Sequence, residues 1–156
     1  MVNYLFYSKK VLEQFRKPNN IGVIKDADGI GKVGNIVCGD EMTLYLKIGS
    51  KNKKQIIKDI KVQTFGCVAA IATSSTLSQI AKGKTIKEAL KISHKDIIKK
   101  LGSLPKIKMH CSFLALDALA EAIHNYLQKT NRPIPQSLEK KHWEIKKRQK
   151  ILEKRF

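Results

Sequence analysis

Glu41-Met42-Thr43-Leu44-Tyr45-Leu46-Lys47-Ile48 alternates apolar and polar side chains along its whole length. Met42, Leu44, Leu46 and Ile48 fall on one side of an extended chain, and Glu41, Thr43, Tyr45 and Lys47 on the other. That alternation marks a strand with one buried face. The polar run of residues 49–54 reads as a turn, and residues 57–65 as the antiparallel partner, with Ile60, Val62 and Thr64 on one face. A third strand is expected at residues 21–24. After Gly66 the pattern turns helical, and strands first with helices later means α+β. The expected fold is a small antiparallel three-stranded sheet with helices packed on one face, followed by a basic helical C-terminal tail.

Upstream of the strands, Ser8 is placed to cap a short helix carrying Val11, Leu12 and Phe15, with Tyr7 and Leu12 as a hydrophobic staple. Pro18-Asn19-Asn20 stops it. Glycines 22, 29, 31, 34 and 39 then read as a loop-rich stretch around Cys38. Downstream, residues 67–82 are rich in Ala and Ser and end at Gly83, a helix with a glycine stop. Thr85-Ile86-Lys87-Glu88 and Ser93-His94-Lys95-Asp96 are capping-box patterns, the second helix ending near Gly102. A long helix is expected from His110 or Cys111 to Lys129. Its apolar stripe is Leu116, Leu119, Ala120, Ile123, Tyr126 and Leu127, opposite Asp117, Glu121, His124 and Gln128. His94 and His124 lack metal-ligand spacing and read as solvated or capping residues.

Residues 130–135, with Pro133 and Pro135, read as a linker. The chain therefore divides into a domain of residues 1–130 and a basic extension of residues 131–156. In the extension Leu138, Ile145 and Leu152 recur every seven residues, but His142 and Gln149 occupy the seam between them. This predicts a helix with a narrow apolar stripe, not a stable coiled coil.

The 156 residues carry 31 Lys+Arg against 13 Asp+Glu, a net charge of +18, which favours anionic partners. Aromatic residues are only 6% and none interleave with the lysines as base-stacking platforms do, so no specific nucleic acid is expected. No apolar run is long enough to span a membrane. No Gly-rich phosphate loop or Gly-x-Ser-x-Gly elbow points to an enzyme. Three cysteines do not close a disulfide framework. A cytoplasmic protein with free thiols is the expectation.

Each cysteine has a neighbour that alters its chemistry. In Cys38-Gly39-Asp40 a thiol and a carboxylate are two residues apart, and the glycine lets the backbone converge them on one ion. Cys67 and Cys111 each open an expected helix, where free N–H groups stabilise a thiolate. Three thiolates with Asp40 or His110 make a tetrahedral set for Zn²⁺ or an iron–sulfur cluster. On a diferric [2Fe–2S] core the set with Asp40 has a formal charge of about −2, and the set with His110 about −1. A hard carboxylate is a weak ligand for a soft cluster, which suits delivery better than storage.

Six segments carry a resemblance. They are Tyr7-Ser8-Lys9-Lys10-Val11, Pro18-Asn19-Asn20-Ile21-Gly22, Val37-Cys38-Gly39-Asp40, Thr64-Phe65-Gly66-Cys67, Ala70-Ile71-Ala72-Thr73-Ser74-Ser75 and Leu104-Pro105-Lys106-Ile107-Lys108-Met109-His110-Cys111-Ser112. In this order they resemble the iron–sulfur cluster assembly scaffolds, the IscU proteins and the N-terminal domain of NifU. The resemblance runs from about Tyr7 to Lys129. It implies a scaffold, not an enzyme, that builds a [2Fe–2S] cluster from iron and from sulfur delivered by a cysteine desulfurase, then passes it to apo iron–sulfur proteins. Cys38, Cys67 and Cys111 match the cluster-binding cysteines, Asp40 the labilising aspartate and His110 the alternative ligand. Cys111 matches the persulfide acceptor, an exposed thiolate at a helix start being a good nucleophile. Zn²⁺ can occupy the same site in the apo form, and a structural or regulatory zinc module is the alternative reading. Lys108 lies in the loop of residues 104–108 that a DnaK-type chaperone recognises in some members, with Lys106 in place of a proline. Tyr7 matches a tyrosine linked to homodimer formation. The tail lies outside the resemblance.

Overall fold

The computed structural model describes residues 7–35 and 39–155. Cys38 lies outside the described residues. Three strands, β1 (Gly29–Asn35), β2 (Asp40–Lys51) and β3 (Lys54–Phe65), form an antiparallel sheet in the order β1-β2-β3. The alternation in β2 buries Met42, Leu44 and Leu46 completely. Across from them Ile60 and Val62 of β3 are equally buried. Ile57, at the opposite parity, is buried as well. The register slips between Lys47 and Ile48, so Lys58 has no partner and the bulge turns Ile57 back toward the core.

Two expectations about the sheet are corrected. The turn between β2 and β3 is Asn52-Lys53 alone, because both residues adopt positive φ (52° and 63°). Two such residues close a hairpin whose twist matches its strands. The third strand is β1, inside the stretch read as glycine loop, while residues 21–24 contribute only a parallel bridge from Ile21 to Val62. The glycines of β1 answer to packing. A Cβ on Gly29 would strike Ala122 of the helix above, and one on Gly31 would strike the backbone of Ala118 and Ala122. Glycine here permits a helix to lie directly on a strand.

That helix is α5 (His110–Lys129), which packs on β1 and β2, while α2 (Val68–Ala81) packs on β3. α1 (Lys9–Arg16) packs on α2, and α4 (His94–Leu101) on both α2 and α5. α3 (Ile86–Ala89) is a single turn capped by Thr85, whose hydroxyl accepts the Glu88 N–H at 3.1 Å. α2 is buried on nearly every side, which explains its small residues. Most of its hydroxyls find partners: Thr73 donates to Ala69 O at 2.7 Å, and Ser75 accepts from Asn19 N–H and donates to Gln14, while the buried Thr76 hydroxyl has none among the described residues. Ser8 caps α1 by accepting the Val11 N–H.

α6 (Gln136–Arg155) folds back onto α5, burying Leu138 and Ile145. This corrects the reading of α5. Glu121 and His124, expected on its solvent face, are buried beneath α6. His142, the polar residue in the seam, donates from its Nδ1 to a Glu121 carboxylate oxygen at 3.0 Å and stacks on His124 with ring centroids 3.7 Å apart. Glu139 stands 3.4 Å from His124 Nε2. Asp117 holds Arg148 at 3.0 Å. The polar seam that argues against a coiled coil is what fits α6 to α5. Among the described residues, no helix is long and apolar enough to cross a membrane.

Candidate metal and sulfur site

Three chain segments converge at one end of the sheet. Glu41 pairs with Phe65, so Asp40 at the start of β2 sits beside the Gly66-Cys67 step from β3 into α2. Gly66 is required there, since a Cβ would lie 2.7 Å from Asp40 Oδ1. The carboxylate instead reaches the Cys67 N–H at 3.3 Å. A 3-10 turn (Lys106–Lys108) then delivers His110 and Cys111 as the first two residues of α5. Gly39, before Asp40, has φ of +73°, a conformation that suits glycine.

Asp40 Oδ2 lies 3.8 Å from Cys67 Sγ and 3.7 Å from Cys111 Sγ, and the two sulfurs are 3.7 Å apart. On the other side of the same edge, His110 Nε2 is 3.6 Å from Cys111 Sγ and 3.9 Å from Asp40 Oδ2. Asp40, His110 and Cys111 thus also group as potential ligands of one ion. The edges carry chemical meaning. An ion with bonds of about 2.3 Å to sulfur and 2.1 Å to oxygen or nitrogen, in tetrahedral geometry, spaces its ligand atoms about 3.4–3.8 Å apart. The side chains stand close to that spacing with no disulfide between Cys67 and Cys111. Nδ1 of His110 is engaged by the Ile107 carbonyl at 3.0 Å, which leaves Nε2 as the nitrogen facing the site.

The sulfurs differ. Cys67 is half-buried, and its pKa is lowered to about 6 from an ordinary 9.0. The hydrogen bond with the Cys111 thiol is the main cause; burial opposes it, the Ala70 amide adds to it, Asp40 opposes it and Lys108 assists. Cys111 is fully buried, so the sulfur at the start of α5, expected to be exposed, is less accessible than the half-buried one at the start of α2. The ammonium of Lys108 is held charged to higher pH, chiefly by the Cys67 thiolate. Burial, then Cys67, pushes the Tyr7 hydroxyl up, placing both residues in the electrostatic reach of the site.

The chain belongs to the NifU-like N-terminal domain family. The family model matches residues 6–133, which spans every described side chain of the site. The iron–sulfur cluster assembly scaffold protein IscU 1 of Archaeoglobus fulgidus is 57% identical over 126 residues, covering 81% of this chain and 80% of that one. The IscU of Aquifex aeolicus, named likewise, is 46% identical over 126 residues, covering 81% and 79%. In fold, the N-terminal part of a nitrogen-fixing NifU-like protein from Brucella abortus superposes with a TM-score of 0.60 at 22% identity, covering 81% of this chain and 97% of that one.

The structure brings together Asp40, Cys67, His110 and Cys111; Cys38 is outside the described residues. Sequence reasoning missed the apolar rim. Phe65 is 69% and Ile107 76% exposed, one beside each sulfur-bearing segment, with Phe113 half-exposed on α5. Only their adjacency to Cys67 and Cys111 marks them in sequence, since exposure is a property of the fold. Of His94 and His124, read as solvated or capping residues, the first opens α4 and packs against Phe113 (ring centroids 4.6 Å apart), and the second lies beneath α6.

Proposed function

We propose that this protein is a scaffold on which a [2Fe–2S] cluster is assembled and from which it passes to apo-proteins. Its proposed ligands are Cys38, Cys67, Cys111 and Asp40, with His110 as the alternative fourth. The triangle of Asp40, Cys67 and Cys111, with edges of 3.7–3.8 Å, carries the reading. The relatives named as assembly scaffolds support it.

Sulfur enters as a persulfide. A cysteine thiolate of the site attacks the outer sulfur of the desulfurase persulfide; this reading assigns the attack to Cys111, whose buried sulfur must first be uncovered when the desulfurase docks. A new sulfur–sulfur bond forms, the donor's breaks, and the desulfurase thiolate leaves. Lys108 supplies positive charge next to the anion that develops. Conversion of each bound sulfane sulfur to sulfide takes two electrons from a separate reductant. Iron is held meanwhile by the remaining thiolates and Asp40, and the carboxylate is the weak point at which the finished cluster is released. The chain is a carrier in this account, not a catalyst. Unbridged Cys67 and Cys111 suit a reducing compartment, and the cytoplasm is the proposed location. The loop of residues 104–108 is the proposed chaperone contact, and Tyr7 the proposed element of a homodimer.

Single replacements test the ligand set. Cys38→Ser, Cys67→Ser and Cys111→Ser are each expected to abolish a stable cluster, and normal yield in any of them contradicts the assignment. Mass spectrometry after exposure to a desulfurase and cysteine is expected to find the extra sulfur on Cys111. Sulfur on Cys67 instead would reassign the acceptor. One retained zinc with no sulfur uptake would favour the zinc module.

A further inference from the structure

α6 lies beyond residue 133, where the family match ends, and residues 136–156 alone carry eight Lys and Arg against three Glu. Its inner face is accounted for by Leu138, His142 and Ile145 against α5. At 100° per residue, Lys140, Trp143, Lys147, Lys150 and Lys154 fall within an arc of about 80° on the opposite side, with Ile151 at its margin. All six are exposed, Trp143 by 62% and Ile151 by 47%. Among the described residues none of these four lysines has an ion-pair partner, whereas Lys141 and Arg148 nearer α5 both hold Asp117. An exposed tryptophan with a second apolar residue on the same face, rimmed by unpaired cations, has the composition of an interaction surface.

We infer that this outer face of α6 is a docking surface for an acidic protein with an apolar cleft, one that takes the cluster from the scaffold. This rests on the scaffold reading. Trp143 and Ile151, two helical turns apart, would be the anchors, and the lysines would meet carboxylates at the rim of the cleft. The composition of the stripe favours protein over nucleic acid. Ile151 offers nothing to phosphate or base, whereas an apolar cleft between carboxylates would take it. The position suits a hand-over. Arg148 and Gln149 of α6 line a cavity of about 370 Å³ together with His110, Phe113 and Val33. The inner side of α6 at Arg148 and Gln149 therefore faces the same cavity as His110, and a partner on the outer face lies just across the helix from it.

Trp143 is the only tryptophan, so its fluorescence reports on this surface alone. The probe is a tryptophan-free, acidic apo-[2Fe–2S] ferredoxin added to the full chain at low salt. Expected are a blue shift of Trp143 emission and its weakening as salt is raised. The Lys147→Glu/Lys154→Glu variant should bind at least tenfold more weakly and transfer its cluster more slowly, with unchanged cluster yield on the scaffold. Trp143→Ala, followed by the anisotropy of a labelled ferredoxin, should weaken binding by a comparable factor. Unaltered affinity and transfer in both variants would overturn the inference. So would an emission change with poly(U) RNA or phosphatidylserine vesicles but none with the ferredoxin. If no cluster forms on the wild type while the ferredoxin still docks through α6, the scaffold reading fails and the docking surface stands.

Discussion

The carboxylate of Asp40 accepts the backbone N–H of Cys67 at 3.3 Å through Oδ1 and stands 3.8 Å from the thiol of the same residue through Oδ2. One acid therefore braces the start of α2 and faces the position an ion would take. Removing it has two separable effects. Asp40→Ala should slow cluster loss, because the weakest ligand is gone and His110 Nε2, 3.9 Å from the vacated oxygen, is a softer replacement. The decay of visible absorption under chelator measures this, and faster loss contradicts it. The same variant should lose about 1–2 kcal/mol of folding stability with the bond to Cys67.

Cys67 should titrate far below an ordinary thiol. Its rate of alkylation by iodoacetamide, followed by mass spectrometry, is expected to rise with a midpoint near pH 6. In Cys111→Ala the midpoint should move upward, because the principal hydrogen-bond partner is lost. A wild-type midpoint close to 9.0 would contradict the geometry. The linkage has a definite sign. The folded thiol gives up its proton at lower pH than the unfolded one, so this contribution to stability is complete above pH 9.0 and is lost as pH falls through about 6.

Gly31 and Gly34 lie in the same strand and should respond very unequally to alanine. A Cβ on Gly31 meets the α5 backbone at Ala118 and Ala122, whereas one on Gly34 has Asp40 O at 3.7 Å as its nearest neighbour. Gly31→Ala is expected to cost about 3 kcal/mol or more, as overpacking against backbone does, and Gly34→Ala less than about 1 kcal/mol. Chemical denaturation measures both, and equal effects would contradict the direct seating of α5 on β1.

The polar seam between α5 and α6 should matter as much as its apolar residues. Ile145→Ala removes a buried side chain and should cost about 2 kcal/mol. His142→Ala leaves the buried Glu121 carboxylate without its 3.0 Å partner and should cost about 1–3 kcal/mol. Neutral behaviour of His142→Ala in thermal unfolding would mean that water replaces the imidazole.

What was legible in the sequence divides along physical lines. β2 and β3 could be read because alternation is a local consequence of burying one face, and the helix starts at Ser8, Thr85 and Ser93 because capping is local too. β1 could not. Its glycines are dictated by α5 pressing on the sheet, and glycine in isolation signals a loop. The burial of Glu121 and His124 depends likewise on α6 folding back, which no helical period reports. At the site, the proximity of Asp40, Cys67, His110 and Cys111 was anticipated from motifs. Which sulfur is buried and which is open was not, because it depends on how α5 and α2 abut.

The most direct test of the central claim is anaerobic reconstitution of the full chain with iron, cysteine and a cysteine desulfurase, read by visible absorption and by iron and acid-labile sulfide analysis. The account predicts a red-brown species with equal iron and sulfide that leaves for an apo-ferredoxin. A colourless protein that retains one zinc and takes up no sulfur would contradict it.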